Sequence, residues 1–177
     1  MTKSVRRYII PLLISIILLS TSAQAIYVHR YEQKYSQWCW AASAQMIGHT
    51  MGRDVTQSAI VEFVKGAAEN APAADIYEAS RAVDYATLLY STAHFSPLTY
   101  ASAQAELSAG EPFYVRIGWD SKDGHAVVAS GYNLSAGTIT IVDPAVGCGT
   151  KAFSYSAMVS GCTFQSGTGT WTHTVTI

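Results

Sequence analysis

The feature that most constrains the fold of this chain is a change in residue type near residue 111. Residues 37–110 are rich in alanine, with apolar side chains at helical spacing, whereas residues 112–177 are rich in Val, Ile, Thr and Gly. Short connections between the predicted strands favour antiparallel pairing. Because no repeat or linker separates the two parts, the sequence predicts one α+β domain, with a helical lobe followed by an antiparallel β-sheet lobe.

Local patterns predict four helices and four strands. The first helix is expected to begin near Ser36 or Cys39, with Ser36 as a reasonable cap, and to end near Gly52. The other helices are predicted over residues 54–67, 72–89 and 99–110, and the strands over residues 112–119, 124–133, 138–145 and 169–177. Simple alternation along the last strand places four residues on one face: Trp171, His173, Val175 and Ile177. On that face His173 is expected to be a hydrogen-bonded core residue.

Residues 1–25 have the pattern of a secretory signal peptide. Three bases precede an apolar run over residues 8–19, and the small-x-small sequence Ala-Gln-Ala follows at residues 23–25. The apolar run is shorter than the about 20 residues that span a bilayer. We therefore expect a leader over residues 1–25 and a secreted or periplasmic domain over residues 26–177 that has no membrane contact after cleavage.

The charge of the remaining chain argues against some partners. Of the 11 Lys and Arg, three lie in the leader, so residues 26–177 hold 8 bases and 12 acids, a formal charge of −4. The absence of a basic patch argues against nucleic acid as a partner. No Cys-x2-Cys or His-x3-His pair occurs, so we expect no metal site and no other cofactor. We expect a monomer.

Three cysteines raise a question of pairing. Cys148 and Cys162 lie 14 residues apart in a glycine-rich tract, and an exported protein can keep a disulfide. We predict that these two cysteines pair, which would stabilise the fold by about 3 kcal/mol in the chain-entropy model. Cys39 is then a free thiol. The alternative pairs Cys39 with one of the other two.

Cys39 lies between Trp38 and Trp40 at the start of the first predicted helix. The partial positive charge of a helix N-terminus stabilises a thiolate, and the two indoles would wall one side of the sulfur. This setting favours a nucleophile over a buried structural thiol. Trp38, Trp40 and Trp119, which ends a predicted strand, are candidate substrate-binding residues, and the alternative for Trp119 is a packing role.

A general base and its partner are predicted from two neighbouring strands. His125 opens the strand over residues 124–133, and Asp143 ends the next strand. In a hairpin the start of one strand lies beside the end of the other, so Asp143 would be placed to orient the imidazole of His125. The alternative for Asp143 is an ordinary turn aspartate.

These segments resemble a known family. "QKYSQWCWAAS", residues 33–43, resembles the active-site segment of papain-like cysteine peptidases, which have a glutamine, five intervening residues and Cys-Trp-Ala at a helix start. "GHAVVASGY" and "IVDPAVG" resemble the histidine and aspartate strands of the small bacterial branch, which includes the peptidases that cut bacteriocin leader peptides. The resemblance covers residues 30–146 and implies a papain-like fold.

The same resemblance implies a role for each candidate residue. Cys39 would be the nucleophile, His125 the general base and acid, Asp143 the orienting carboxylate, and Gln33 the oxyanion donor beside the Cys39 N–H. Gln37 is the rival donor, although it is too close to Cys39 to reach back easily. Many leader peptidases are fused to a transporter-like region that is missing here, which weakens the leader-peptide substrate class.

The sequence therefore predicts an exported cysteine peptidase that hydrolyses a peptide or protein substrate through a thioester. If an amine outcompetes water, the same site would act as a transglutaminase-like acyl transferase. A third interpretation is a secreted binding or toxin-like protein that keeps the scaffold without catalysis.

Overall fold

The computed structural model describes residues 23–121 and 123–177, so most of the predicted leader lies outside the described residues. The helices are α1 (Cys39–Thr50), α2 (Gln57–Lys65), α3 (Ile76–Thr87), α4 (Tyr100–Ala109) and α5 (Tyr155–Ser160). The strands are β1 (Ala23–Ala25), β2 (Thr92–His94), β3 (Phe113–Trp119), β4 (Gly124–Asn133), β5 (Thr138–Val142), β6 (Thr150–Ser154), β7 (Cys162–Thr163) and β8 (Thr168–Thr176). The α+β class is confirmed, with short elements added around the predicted ones.

The strands form one antiparallel sheet in the order β2-β8-β3-β4-β5-β6. β4 and β5 are a hairpin in which Val128 lies opposite Val142, so the start of β4 and the end of β5 lie at the same end of the sheet. β1 pairs with the far end of β4, and β7 pairs with β8. β1 coincides with the predicted cleavage site of the leader.

Two hydrophobic cores cover the two faces of the sheet. Helices α1, α2 and α3 pack on one face, against residues that include Tyr114, Ala126 and Val128. Helices α4 and α5 pack on the other face, against residues that include Val115 and Val127. Because both faces are covered, β3 and β4 are apolar on both sides, which explains their nearly continuous hydrophobic runs. The predicted helical lobe therefore contains α1–α3, while α4 lies behind the sheet.

Close packing between two helices fixes the position of α1. A Cβ atom on Gly48 would lie 2.6 Å from the carbonyl oxygen of Ala86 in α3. Only glycine allows the two helices to approach this closely. Since α1 begins at Cys39, the same contact holds the helix that carries the cysteine relative to α3.

A β-bulge corrects the prediction for the last strand. Arg116 of β3 lies opposite His173, but the next residue, Ile117, lies opposite Trp171, so Thr172 is an extra residue in β8. The extra residue reverses the faces of the strand on its two sides. Trp171 packs in the core behind the sheet, whereas His173 is on the face that packs against α1–α3. The four residues predicted to share one face therefore do not.

The predicted disulfide is not formed. Cys148 and Cys162, hereafter the distal cysteines, are free thiols in the structure, as is Cys39. Cys162 is held in β7 opposite Gly169. Cys148 lies in a turn, where its own backbone N–H donates to the carbonyl of Ala145. Each distal cysteine is thus fixed by its own local hydrogen bonds. Within the described part of the chain, no helix is both long and apolar enough to cross a membrane.

Candidate active site

Cys39 is the first residue of α1 and is half-buried. No side chain caps this helix, whose N-cap position is Trp38 and not the predicted Ser36. Each of the other four described helices has a side-chain cap at its N-terminus. The first backbone N–H groups of α1 therefore remain available beside the sulfur, where they can stabilise negative charge.

His125 and Asp143 form a buried pair behind Cys39. Nε2 of His125 lies 2.7 Å from Oδ1 of Asp143, and the two residues are 8% and 2% exposed. The carboxylate also accepts hydrogen bonds from the Ala145 N–H at 2.9 Å and from the Ser166 hydroxyl at 2.6 Å. These bonds fix the carboxylate, and the carboxylate fixes the imidazole, so Nδ1 is the ring nitrogen left for Cys39.

The pKa shifts of this pair follow from their contacts. Burial alone would lower the pKa of His125, but the hydrogen bond to Asp143 and the interaction with Cys39 outweigh it and raise the pKa to about 9. Burial alone would raise the pKa of Asp143, but its bonds to His125, Ser166 and Ala145 hold that pKa below its ordinary value. The favoured state at neutral pH is therefore an imidazolium between a carboxylate and the cysteine sulfur.

The segment that carries Asp143 is tied to the chain before α1. Nε of Arg30 donates to the carbonyl oxygen of Asp143 at 2.7 Å, and its Nη2 donates to that of Ala145 at 2.5 Å. The backbone N–H of Gln33 donates to the carbonyl of Pro144 at 2.9 Å. These bonds link the cysteine side of the site to the histidine–aspartate side.

The structure does not place the Gln33 side chain in the cleft. Its Nε2 donates to the carbonyls of Tyr35 and Ser36, both at 3.0 Å, and its Oε1 is buried without a partner. Both protons of the amide are engaged, so donation to an oxyanion requires the side chain to turn. Gln37, the rival donor, is exposed and lines the cleft. The oxyanion role of Gln33 stays a prediction.

The three tryptophans have different surroundings. Trp38 is 1% exposed and donates from Nε1 to the carbonyl of Glu69, so it anchors a loop and is not available to a substrate. Trp40 makes the same kind of bond to Ala71 but also borders the cleft. Trp119 stacks on His125, with ring centroids 5.6 Å apart and planes inclined by 14°. It covers the imidazole, which is a packing role that the sequence left open.

Cys39 and His125 face a common cleft of about 470 Å³ between α1, the start of α3 and the sheet. The lining includes four residues that the sequence reasoning missed: Phe95, Tyr114, Arg116 and His173. A lone arginine in the apolar strand "FYVRIGW" was the available signal for one of them. Ser166, which bonds to Asp143, comes from the glycine-rich tail and had no such signal. Among the described residues no three His, Cys, Asp or Glu side chains are grouped to hold a metal ion.

A helix-borne cysteine facing a histidine–aspartate pair on an antiparallel sheet is the arrangement of the papain-like cysteine peptidases. The chain belongs to the Peptidase_C39 like family, whose sequence model matches residues 25–166. A search of curated proteins finds no match.

Two solved structures share the fold. The peptidase domain of Streptococcus ComA, a bi-functional ABC transporter involved in a quorum sensing pathway, superposes with a TM-score of 0.60 at 16% identity. The alignment covers 83% of this chain and 96% of that domain. A protein from Bacillus anthracis described as a C39-like peptidase gives a TM-score of 0.61 at 12% identity, over 87% of this chain and 97% of that one. At these identities the likeness shows the papain-like fold.

Proposed function

We propose that this protein is an exported cysteine peptidase in which Cys39, His125 and Asp143 act as a triad. The observation that carries the proposal is the buried 2.7 Å bond from His125 Nε2 to Asp143, which leaves the other ring nitrogen for Cys39 at an uncapped helix start. Membership of the C39-like family supports a peptide or protein as the substrate.

The reaction begins with the Cys39 sulfur attacking the carbonyl carbon of a peptide bond. The carbonyl oxygen becomes an oxyanion, which the free N–H groups at the start of α1 stabilise. The C–N bond then breaks as the imidazolium of His125 gives its proton to the leaving amine. The product is a thioester on Cys39. Neutral His125 next takes a proton from water, the hydroxide attacks the thioester, and the acid leaves as the thiolate is restored.

Asp143 keeps the imidazole in one tautomer and one orientation through both steps. Its Oδ1 accepts a hydrogen bond from the Nε2–H of His125 throughout and stabilises the imidazolium, while the proton stays on Nε2. Trp119 covers the imidazole, and this cover keeps the surroundings of the histidine–aspartate bond poor in water.

The direct test is the Cys39→Ala variant, measured with a fluorogenic peptide library. We expect hydrolysis to be lost while the circular dichroism spectrum and the melting temperature stay close to those of the unchanged protein. Cys148→Ala is the matched control, because it removes a thiol outside the cleft and should leave hydrolysis intact. Hydrolysis that persists in Cys39→Ala would exclude the mechanism.

Two further measurements separate the alternatives and test export. Incubation with a peptide and a labelled amine distinguishes the enzymes, since a peptidase releases free acid whereas a transglutaminase-like enzyme incorporates the label.

The N-terminus of the protein recovered outside the cytoplasm tests the leader, and we expect it at Ile26. Recovery of the whole protein inside the cell with its N-terminal residues intact would contradict export.

A further inference from the structure

The cleft contains a cation that the triad does not use. Arg116 lies in the middle of β3, is half-buried and lines the cleft together with Tyr114 and His173. It forms no ion pair with any carboxylate of the described residues. A half-buried guanidinium without an anionic partner is uncommon, because removing charge from water is costly unless the charge is paired.

The guanidinium is held in a slot made by two glycines. Gly118 of β3 lies directly opposite Gly124 of β4. A Cβ atom on Gly124 would lie 2.8 Å from Nη2 of Arg116 and 3.0 Å from its Cζ, and one on Gly118 would lie 3.4 Å from Nη1. Any larger residue at position 124 would therefore displace the guanidinium. Gly124 directly precedes His125 in β4, and Arg116 and His125 line the same cleft.

One hydrogen bond fixes the orientation of the arginine. Nη1 of Arg116 donates to Oγ1 of Thr172 at 3.0 Å, and the same hydroxyl donates to the Arg116 carbonyl at 3.2 Å. Thr172 is the extra residue of the bulge in β8. No described residue accepts a hydrogen bond from Nε or Nη2 of Arg116, so that edge of the guanidinium is left for another acceptor.

His173 lies opposite Arg116 and lines the same cleft. Its Nδ1 is buried without a hydrogen-bond partner. Burial and the charge of Arg116 lower the pKa of His173, so the ring is neutral when no anion is nearby. Two carboxylates also line the cleft, Asp75 and Asp123, but both are exposed at its rim, and Asp75 is occupied as the N-cap of α3.

We propose that Arg116, supported by His173, binds a carboxylate of the peptide substrate beside the scissile bond. The inference rests on the proposed peptidase function and adds a substrate preference to it. A peptide carries carboxylates on Asp and Glu side chains and at its free C-terminus. The Nε and Nη2 edge of an arginine matches both oxygens of a carboxylate, which lysine or a neutral donor cannot do.

The test uses matched peptides that differ only in charge. Each substrate has Glu or Gln at one position next to the cleaved bond, and a second series has a free or an amidated C-terminus. We expect the kcat/KM of the charged peptide to exceed that of its neutral twin by about tenfold or more in one series, which identifies the source of the carboxylate.

Variants then assign that preference to the arginine. Arg116→Gln should reduce the ratio between charged and neutral peptides to near one, and Arg116→Lys should restore part of it because the charge returns without the paired geometry. Thr172→Val should give an intermediate ratio, since it frees the guanidinium without changing the charge. Arg81→Gln removes the same charge from an exposed position of α3 and should keep the ratio of the unchanged protein.

The two proposals fail in different ways. Equal kcat/KM values for the charged and the neutral peptide would overturn the carboxylate site without affecting the peptidase proposal. An unchanged ratio of these two values in Arg116→Gln would do the same. If no peptide is cut, the peptidase proposal fails, and binding to the Cys39→Ala protein decides the site separately. In that measurement we expect the charged peptide to bind about tenfold more tightly than its twin. Equal dissociation constants would overturn the site.

Discussion

The replacement of Asp143 by asparagine separates the charge of this residue from its geometry. Oδ1 of Asp143 accepts from both His125 Nε2 and the Ala145 N–H, while Oδ2 accepts from the Ser166 hydroxyl. An asparagine carbonyl oxygen can accept the first two bonds, and its NH2 group can donate to a Ser166 hydroxyl that has rotated. Asp143→Asn should therefore keep the orientation of the imidazole while it removes one buried negative charge.

The size of the effect follows from the lost charge. A hydrogen bond to a charged group contributes about 1.5–3 kcal/mol and a neutral one about 0.5–1.5 kcal/mol, so the imidazolium loses about 1–1.5 kcal/mol of stabilisation. That difference corresponds to about one pKa unit. The pKa of His125 is raised to about 9, and Asp143 is one of the groups that raise it. In the unchanged protein kcat/KM should fall as the pH rises through about 9, because neutral His125 cannot protonate the leaving amine. In Asp143→Asn this alkaline limb should move down by about one pH unit.

The assay is kcat/KM for a fluorogenic peptide as a function of pH, with the alkylation rate of Cys39 measured in parallel. Asp120→Asn, which removes a carboxylate from an exposed position, is the control and should leave the limb in place. Asp143→Ala should be worse than Asp143→Asn, because it also leaves Nε2 of His125 buried without an acceptor. An alkaline limb at the same pH in Asp143→Asn and the unchanged protein would refute the argument.

Three further outcomes are expected. Gly48→Ala should lower the free energy of unfolding in urea by about 1–3 kcal/mol despite the better helix propensity of alanine, because its Cβ would lie 2.6 Å from the Ala86 carbonyl oxygen; equal stability would mean that the helices can separate freely. Iodoacetamide followed by mass spectrometry should modify Cys39 before the distal cysteines, since burial raises the pKa of both of the latter; faster labelling of either would contradict a reactive Cys39. Trp119→Ala should lower kcat/KM by about tenfold by letting water reach the imidazole of His125, whereas Trp119→Phe should keep most activity; equal activity in the two variants would show that the cover is not needed.

The sequence by itself determined the features that depend on neighbouring residues. Helix α1 begins at Cys39, and β4 runs from Gly124 to Asn133, as the local patterns predicted. The hairpin of β4 and β5 then brought His125 and Asp143 together, because a short polar turn forces the antiparallel pairing of the strands that flank it. The fold class followed from the same patterns.

Only the tertiary structure decided the features that depend on pairing between distant segments. The extra residue in β8 moved His173 to the face opposite Trp171, and no local pattern marks a bulge whose partner lies in another strand. The slot for Arg116 exists because Gly118 and Gly124 meet across two strands. The side chain of Gln33 is engaged by the carbonyls of its own turn, and the distal cysteines lie in two separately hydrogen-bonded segments as free thiols. The spacing of hydrophobic residues and their secondary-structure propensities indicate which face of a helix or strand is buried. The register between strands and the contacts between side chains are settled only when the helices and strands pack together.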